Sequence, residues 1–155
     1  MICLGNICRS PMAAAVAGAM VEQAGLSGRV AVESFGTAGY HVGEGADPRA
    51  DAALRRRGWP AGGHRARRLE PADIAGSDLL LCADRANLRE VRRTAGPGTD
   101  AAKVCLLRSY DPDATPADDE VPDPWGGGEA AFDLALVMIE RACRGLVGQL
   151  AAARR

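Results

Sequence analysis

Short apolar runs alternate along this chain with longer stretches in which apolar residues recur every three or four positions. The runs have the length of strands buried on both faces of a parallel sheet, and the stretches have the period of helices with one buried face. Ile2-Cys3 has the character of a strand end, and Arg29–Phe35, Asp78–Cys82 and Lys103–Leu107 read as three further strands. Helices are predicted from Pro11 to about Ala24, ending near Gly25; from Pro48 to Arg57, closed by Gly58; and from Arg85 to Arg93. A last helix runs from about Glu129 to Ala151, with Phe132, Leu136, Ile139, Cys143, Leu146, Val147 and Leu150 as its buried stripe. Arg108–Gly128 is rich in Asp, Pro and Gly and is predicted to be a long loop, a class that often carries function. The alternation predicts an α/β fold over residues 1–155: a single-domain, doubly wound, four-stranded parallel sheet flanked by helices. Only Met1 and Ile2 precede Cys3, whereas strands usually hold about five residues. The first strand therefore looks truncated, and the natural chain is expected to begin upstream with about three to six further apolar residues.

Composition narrows the function classes. Hydrophobic residues make up 47% and charged residues 25%, ordinary for a globular chain of 155 residues with one core. A net charge of −1 gives no global field to draw in nucleic acid or a membrane surface. The Arg-rich stretches Arg55–Arg57 and Arg65–Arg68 read as solvated faces. The chain has no apolar run of about 18 residues and no signal-peptide pattern, so no membrane association and a cytoplasmic location are expected. Cys stands at positions 3, 8, 82, 105 and 143 with no C-x-x-C pair, which argues against a disulfide framework or a zinc site. Cys82, Cys105 and Cys143 lie in apolar segments and read as small core residues.

The chemistry concentrates in Cys3-Leu4-Gly5-Asn6-Ile7-Cys8-Arg9-Ser10. A five-residue spacer between Cys3 and Arg9 can curl its backbone N–H groups into a ring around an oxyanion. The Arg9 fork then matches two oxygens of a phosphate. Ser10-Pro11 reads as a helix start, Ser10 as N-cap and Pro11 at the first helical position. The ring would then sit at the positive end of a helix dipole, a setting that favours the reactive thiolate. Ser10 can hydrogen-bond the Cys3 sulfur, and Asn6 tolerates the left-handed backbone angles that such a ring needs. The chain lacks G-x-x-x-x-G-K-[S/T], which excludes a nucleotide P-loop.

Cys3 to Met12 resembles the signature loop of the low-molecular-weight protein tyrosine phosphatases of bacterial type. The resemblance covers nearly the whole chain. Ser34-Phe35-Gly36-Thr37 is similar to the family's Ser-Ala-Gly-Thr, with Phe35 in place of a small residue. Tyr40-His41-Val42-Gly43 resembles Trp-His-Val-Gly, and Asp47-Pro48-Arg49-Ala50 follows. His64 with Arg67 resembles His-x-x-Arg, and Asp84 with Asn87-Leu88 resembles Asp-x-x-Asn-Leu. Val121-Pro122-Asp123-Pro124 matches the loop that carries the acid. A C-x5-R run alone is only moderately specific; its combination with the Asp-Pro segment, in this order, is far more so.

The resemblance implies a metal-independent, cofactor-free phosphatase acting on phosphotyrosine-containing proteins, as a monomer or weak dimer. Cys3 is then the nucleophile, Arg9 the phosphate clamp and Asp123 the general acid and base. Leu4, Gly5, Asn6, Ile7, Cys8 and Ser10 surround the phosphate, and Tyr40 and Trp125 wall a phenyl ring. Where the family usually has Tyr-Tyr after the Asp-Pro, this chain has Trp125-Gly126. The resemblance also implies that Ser34 and His64 join Asn6 in a supporting network; the bland alternatives are a strand-end Ser and a surface His. In related protein-arginine phosphatases the position of Ile7 is typically Thr, so Ile7 favours phosphotyrosine. The family commonly pairs the position of Cys8 with the nucleophile in a reversible disulfide that guards it from over-oxidation. Two other readings stay open. A thioredoxin-coupled arsenate reductase needs two further redox Cys; Cys82 is available, but Ala83–Arg93 contains no second one. A silent phosphate-binding or redox-sensing module is opposed by the intact Cys3, Arg9 and Asp123, and favoured only by the clipped first strand.

Overall fold

The computed structural model describes residues 1–153. Four strands, β1 (Ile2–Cys3), β2 (Phe35–Gly36), β3 (Leu80–Cys82) and β4 (Val104–Leu106), form one parallel sheet in the order β2-β1-β3-β4. β1 is thus central, pairing Ile2 with Phe35 on one side and with Cys82 on the other. Helices α1 (Arg9–Gln23), α2 (Pro48–Arg56), α3 (Pro71–Gly76), α4 (Arg85–Ala95) and α5 (Glu129–Ala152) cover both faces. On one face α1, α2 and α5 enclose Met12, Val16, Leu54, Phe132, Leu136 and Ile139. On the other, α3 and α4 bury Ile74 and Val91 against Ile2, Leu80 and Val104. The Ala-rich side of α1 lets α5 come close, and the Cys143 thiol reaches the Ala13 carbonyl at 3.8 Å. Among the described residues no helix is long and apolar enough to cross a membrane.

The sheet is doubly wound around β1, so the loop after β1 lies where the connections on its two sides diverge. Ligands of open α/β sheets bind at that position. This placement matters more for the site than the strands' lengths, which are short. The strand expected at Arg29–Phe35 is reduced to Phe35–Gly36. In the register Phe35 stands opposite Ile2, its N–H donates to the Met1 carbonyl at 2.9 Å, and the Met1 amino group donates to the Glu33 carbonyl at 2.7 Å.

Three further differences from the sequence reading have local causes. The helix after the loop begins at Arg9 rather than Pro11; Cys8 takes the cap position, and no side chain caps the helix. Ser10 is therefore not an N-cap, because its hydroxyl is engaged by Cys3 and Asn6 instead. Pro11 still lies in the first turn, where its missing N–H would have had no helical partner. The short helix α3 is absent from the sequence reading; Pro71 opens it, and the Asp73 carboxylate accepts from the Glu70 N–H at 2.8 Å. The segment expected to be a plain loop from Arg108 onward is organised by Arg108. That side chain is 1% exposed and donates to Asp111, Asp118 and the Glu120 carbonyl.

Candidate active site

Cys3 ends β1, and six residues later Arg9 opens α1. The turn between them depends on Asn6, the only non-glycine residue with positive φ (58°) among those described. Asn and Asp visit this region most readily of the non-glycine residues, and here the side chain adds support. Asn6 Nδ2 donates to Ser10 Oγ at 2.8 Å and to Ser34 Oγ at 3.0 Å. Asn6 Oδ1 accepts from the Arg67 N–H at 2.8 Å. Its carbonyl oxygen lies 2.6 Å from His64 Nε2, which must carry the proton to donate there. The geometry therefore brings Ser34 and His64 together behind the loop through Asn6.

Ser10 Oγ lies 3.0 Å from Cys3 Sγ. The hydroxyl has one hydrogen, and Asn6 already donates to its oxygen. The other acceptor in reach, the Phe35 carbonyl, is 3.4 Å away, so the sulfur is the better placed. Gly36 fits against the other side of the loop, where a Cβ would stand 2.7 Å from the Leu4 carbonyl and 3.1 Å from the Asn6 nitrogen.

Arg9 is 4% exposed. Its Nη1 donates to Asp84 Oδ2 at 2.7 Å and to the Val121 carbonyl at 2.9 Å, while Nη2 stands 3.7 Å from Asp123 Oδ2. Asp84 also caps α4 by accepting from the Asn87 N–H at 2.8 Å. Sequence reading quoted Asp84 as part of a motif but gave it no task; the structure shows that it fixes the Arg9 fork. The available signal was its place at the carboxyl end of β3, the strand beside β1.

Asp123 reaches the site because its loop is pinned at Val121, whose N–H donates to the Ala83 carbonyl at 2.8 Å. Asp123 Oδ1 accepts from the Trp125 N–H at 3.1 Å, and the carboxylate is half-exposed. Cys3, Arg9 and Asp123 share one open cleft of about 210 Å³. Leu4, Gly5, Ile7 and Cys8 line it from the loop, and Tyr40, His41 and Trp125 form the walls. Tyr40 is 75% and Trp125 60% exposed, which leaves two aromatic faces open to a ligand ring. His41, which received no role from the sequence, holds Glu44 Oε2 at 2.8 Å through Nδ1.

Cys8 is buried, and its thiol is pushed up to about 12 by desolvation, helped by the charges of Asp47 and Cys3. It stays a thiol at neutral pH. Cys82 and Cys143 are likewise buried thiols pushed up to about 12, and Cys105 is half-buried.

A tetrahedral anion could rest in the loop with a sulfur below it, a guanidinium beside it and a carboxylate above, between two aromatic walls. The low molecular weight phosphotyrosine protein phosphatase family matches the chain over residues 1–155. A low molecular weight protein-tyrosine-phosphatase of Streptomyces coelicolor is 49% identical over 146 residues, covering 94% of this chain and 88% of that protein. The human low molecular weight phosphotyrosine protein phosphatase is 38% identical over 144 residues, covering 92% and 89%. The crystal structure of a protein tyrosine phosphatase from Entamoeba histolytica, with Hepes in its active site, matches with a TM-score of 0.91 at 30% identity, covering 99% of this chain and 96% of that one. With loop, clamp and acid segment in place along a full-length match, the chain belongs to the low molecular weight phosphotyrosine protein phosphatase family.

Proposed function

We propose that this protein hydrolyses phosphotyrosine in proteins through a phosphocysteine intermediate, without a metal, as a cytoplasmic monomer or weak dimer. The carrying observation is the convergence of Cys3, Arg9 and Asp123 on one cleft. The Cys3 thiolate attacks phosphorus in line with the phenolic oxygen. The S–P bond forms as the P–O bond breaks, and Asp123 gives its proton to the departing phenolate. Water then attacks phosphorus, Asp123 takes its proton, and the thiolate leaves with phosphate released. Throughout, the N–H groups of Leu4 to Arg9 and the Arg9 fork hold the non-bridging oxygens. Tyr40 and Trp125 sandwich the phenyl ring, and Ile7 keeps the loop wall apolar, which suits phosphotyrosine.

The decisive assay is p-nitrophenyl phosphate turnover. Wild type should turn over and Cys3→Ser should not. Asp123→Asn should lose about 10²–10⁴-fold in rate on a poorer leaving group such as phenyl phosphate. Full activity of Cys3→Ser would refute the nucleophile assignment, and full activity of Asp123→Asn on phenyl phosphate would refute that of the acid.

Cys8 completes the reading as a guard. Peroxide converts the Cys3 thiolate to a sulfenic acid with release of hydroxide. The Cys8 thiol then condenses with it, forming a disulfide and water. A dithiol should restore all activity after peroxide in the wild type, but only part of it in Cys8→Ser, where oxidation proceeds to the sulfinic acid. Equal recovery of the two proteins would count against the guard. The arsenate reductase alternative loses weight because Cys82, its required shuttle thiol, is 0% exposed within β3.

A further inference from the structure

The segment that carries Asp123 is held at two places. The upstream anchor is Val121, bound by Ala83 on one side and by Arg9 on the other. The downstream anchor is a single side chain, Arg49. Its Nη2 donates to the Trp125 carbonyl at 3.1 Å and its Nη1 to the Gly127 carbonyl at 2.9 Å. The same guanidinium grips Asp47 as a fork, Nε to Oδ1 at 3.0 Å and Nη2 to Oδ2 at 2.8 Å. It also lies 4.6 Å from the centroid of the Phe132 ring in α5. Asp47 in turn donates its N–H to the Ile7 carbonyl at 2.8 Å, on the outer side of the phosphate loop. One cation therefore ties the acid segment to the frame that holds the nucleophile.

Between these anchors Pro124 is buried and its carbonyl accepts from the Gly127 N–H at 2.9 Å, while the carboxylate itself is only lightly held. Asp123 makes one short hydrogen bond, to the N–H of its own neighbour Trp125. Its approach to Arg9, at 3.7 Å, is long. Gly126, Gly127 and Gly128 follow, and three successive glycines leave the backbone free to swing unless something fixes it. The Asp47 carboxylate is held below its ordinary value of 3.8, chiefly by the Arg49 hydrogen bond, so the fork stays charged on both sides through neutral pH.

We propose that Arg49 is a positioning residue for proton transfer: by bridging Asp47 to the Trp125 and Gly127 carbonyls it sets where the Asp123 carboxylate stands over the leaving group. This rests on the phosphatase reading above and adds a residue that acts through Asp123. Its removal should weaken protonation of the leaving group while leaving Cys3 and the phosphate cradle as they were. Lysine cannot replace it, since one ammonium cannot span a carboxylate and two carbonyls spread along a loop.

The test compares Arg49→Met, Arg49→Lys and wild type by kcat/KM, which reports the steps up to P–O cleavage, on p-nitrophenyl phosphate and on phenyl phosphate. The good leaving group needs little protonation, so its kcat/KM should fall only a few-fold. The poor one should fall by about 10- to 100-fold, part of the full effect of losing a general acid. In the Asp123→Asn background, adding Arg49→Met should cost nothing further on phenyl phosphate, because two residues on one pathway are not additive. Alkylation of Cys3 by iodoacetate, and its protection by inorganic phosphate, should match wild type. Equal losses on both substrates, an additive loss in the double variant, or weakened phosphate protection would each overturn the proposal. Arg49→Lys, which keeps the charge and the helical stem, carries the same comparison if Arg49→Met does not fold. A wild type that turns over neither substrate would instead overturn the phosphatase reading, and this inference with it.

Discussion

At the scale of single residues, the phosphate loop is a set of exclusions. Asn6 can hold its backbone angle where most residues would strain, and its amide is used at both ends. Gly36 leaves room that no side chain can share. A methyl group at Gly36 would meet two backbone atoms of the loop, and backbone cannot rotate away as a side chain would. Gly36→Ala should therefore push Leu4 and Asn6 outward. Inhibition by inorganic phosphate should weaken by about 5- to 150-fold, corresponding to the ~1–3 kcal/mol of overpacking, with little change in far-UV circular dichroism. An unchanged inhibition constant would show that the loop yields at no cost. Cys3, Arg9 and the residues between them were legible as one cluster because they are consecutive and each type has one evident use. Ser10 was legible as a site residue but misread as a cap: a Ser before Pro carries a helix-start signal, and nothing local reveals that Asn6 and Cys3 claim its hydroxyl.

At the scale of elements, the joint between α2 and α5 contains a polar clamp. Glu140 in α5 is 6% exposed, and its carboxylate accepts from Arg57 Nε and Nη2 and from Trp59 Nε1 at 2.5–2.6 Å. Burial pushes the Glu140 pKa up, but the hydrogen bonds from Arg57 and Trp59 outweigh it, and the net position lies below the ordinary 4.5. A carboxylate depressed in this way contributes stability that is fully present above about 4.5 and is lost as pH falls through the folded value. Glu140→Gln should lower the melting temperature at pH 7 by about 2–6 °C, for a loss of ~1–2 kcal/mol, since Arg57 remains partly solvated. The gap between variant and wild type should narrow as pH drops below 4.5; a constant gap would mean that the charge of Glu140 contributes nothing. This clamp was invisible in sequence because its partners are 83 and 81 residues apart. Strand β2 was overlong for a related reason. The apolar residues before Phe35 satisfy a strand pattern, yet a ladder exists only where the neighbouring strand offers partners.

At the scale of the whole molecule, the alternation of apolar runs and helical periods was enough to yield the doubly wound sheet. The same pattern placed the loop after β1 at its centre. It could not reveal how Asp123 reaches that centre from across more than a hundred residues. The Asp-Pro segment singled out Asp123, while the contacts that bring it to the cleft are backbone carbonyls, which have no sequence signature. Arg49 illustrates the gap: Asp47-Pro48-Arg49 reads correctly as a helix start, with Asp47 capping the Arg49 N–H at 2.9 Å, and says nothing of the carbonyl 76 residues away.

Val121 has a consequence of another kind. Held by Ala83 and Arg9, it separates the acid from everything upstream in its loop. Arg108 closes the base of that upstream part through Asp111, Asp118 and Glu120, leaving residues 112–117 as a largely exposed bend outside both fastenings. That bend is a graft position. A longer or different segment there should leave Asp123 in its place, since exposed loop tips are where insertions are best tolerated.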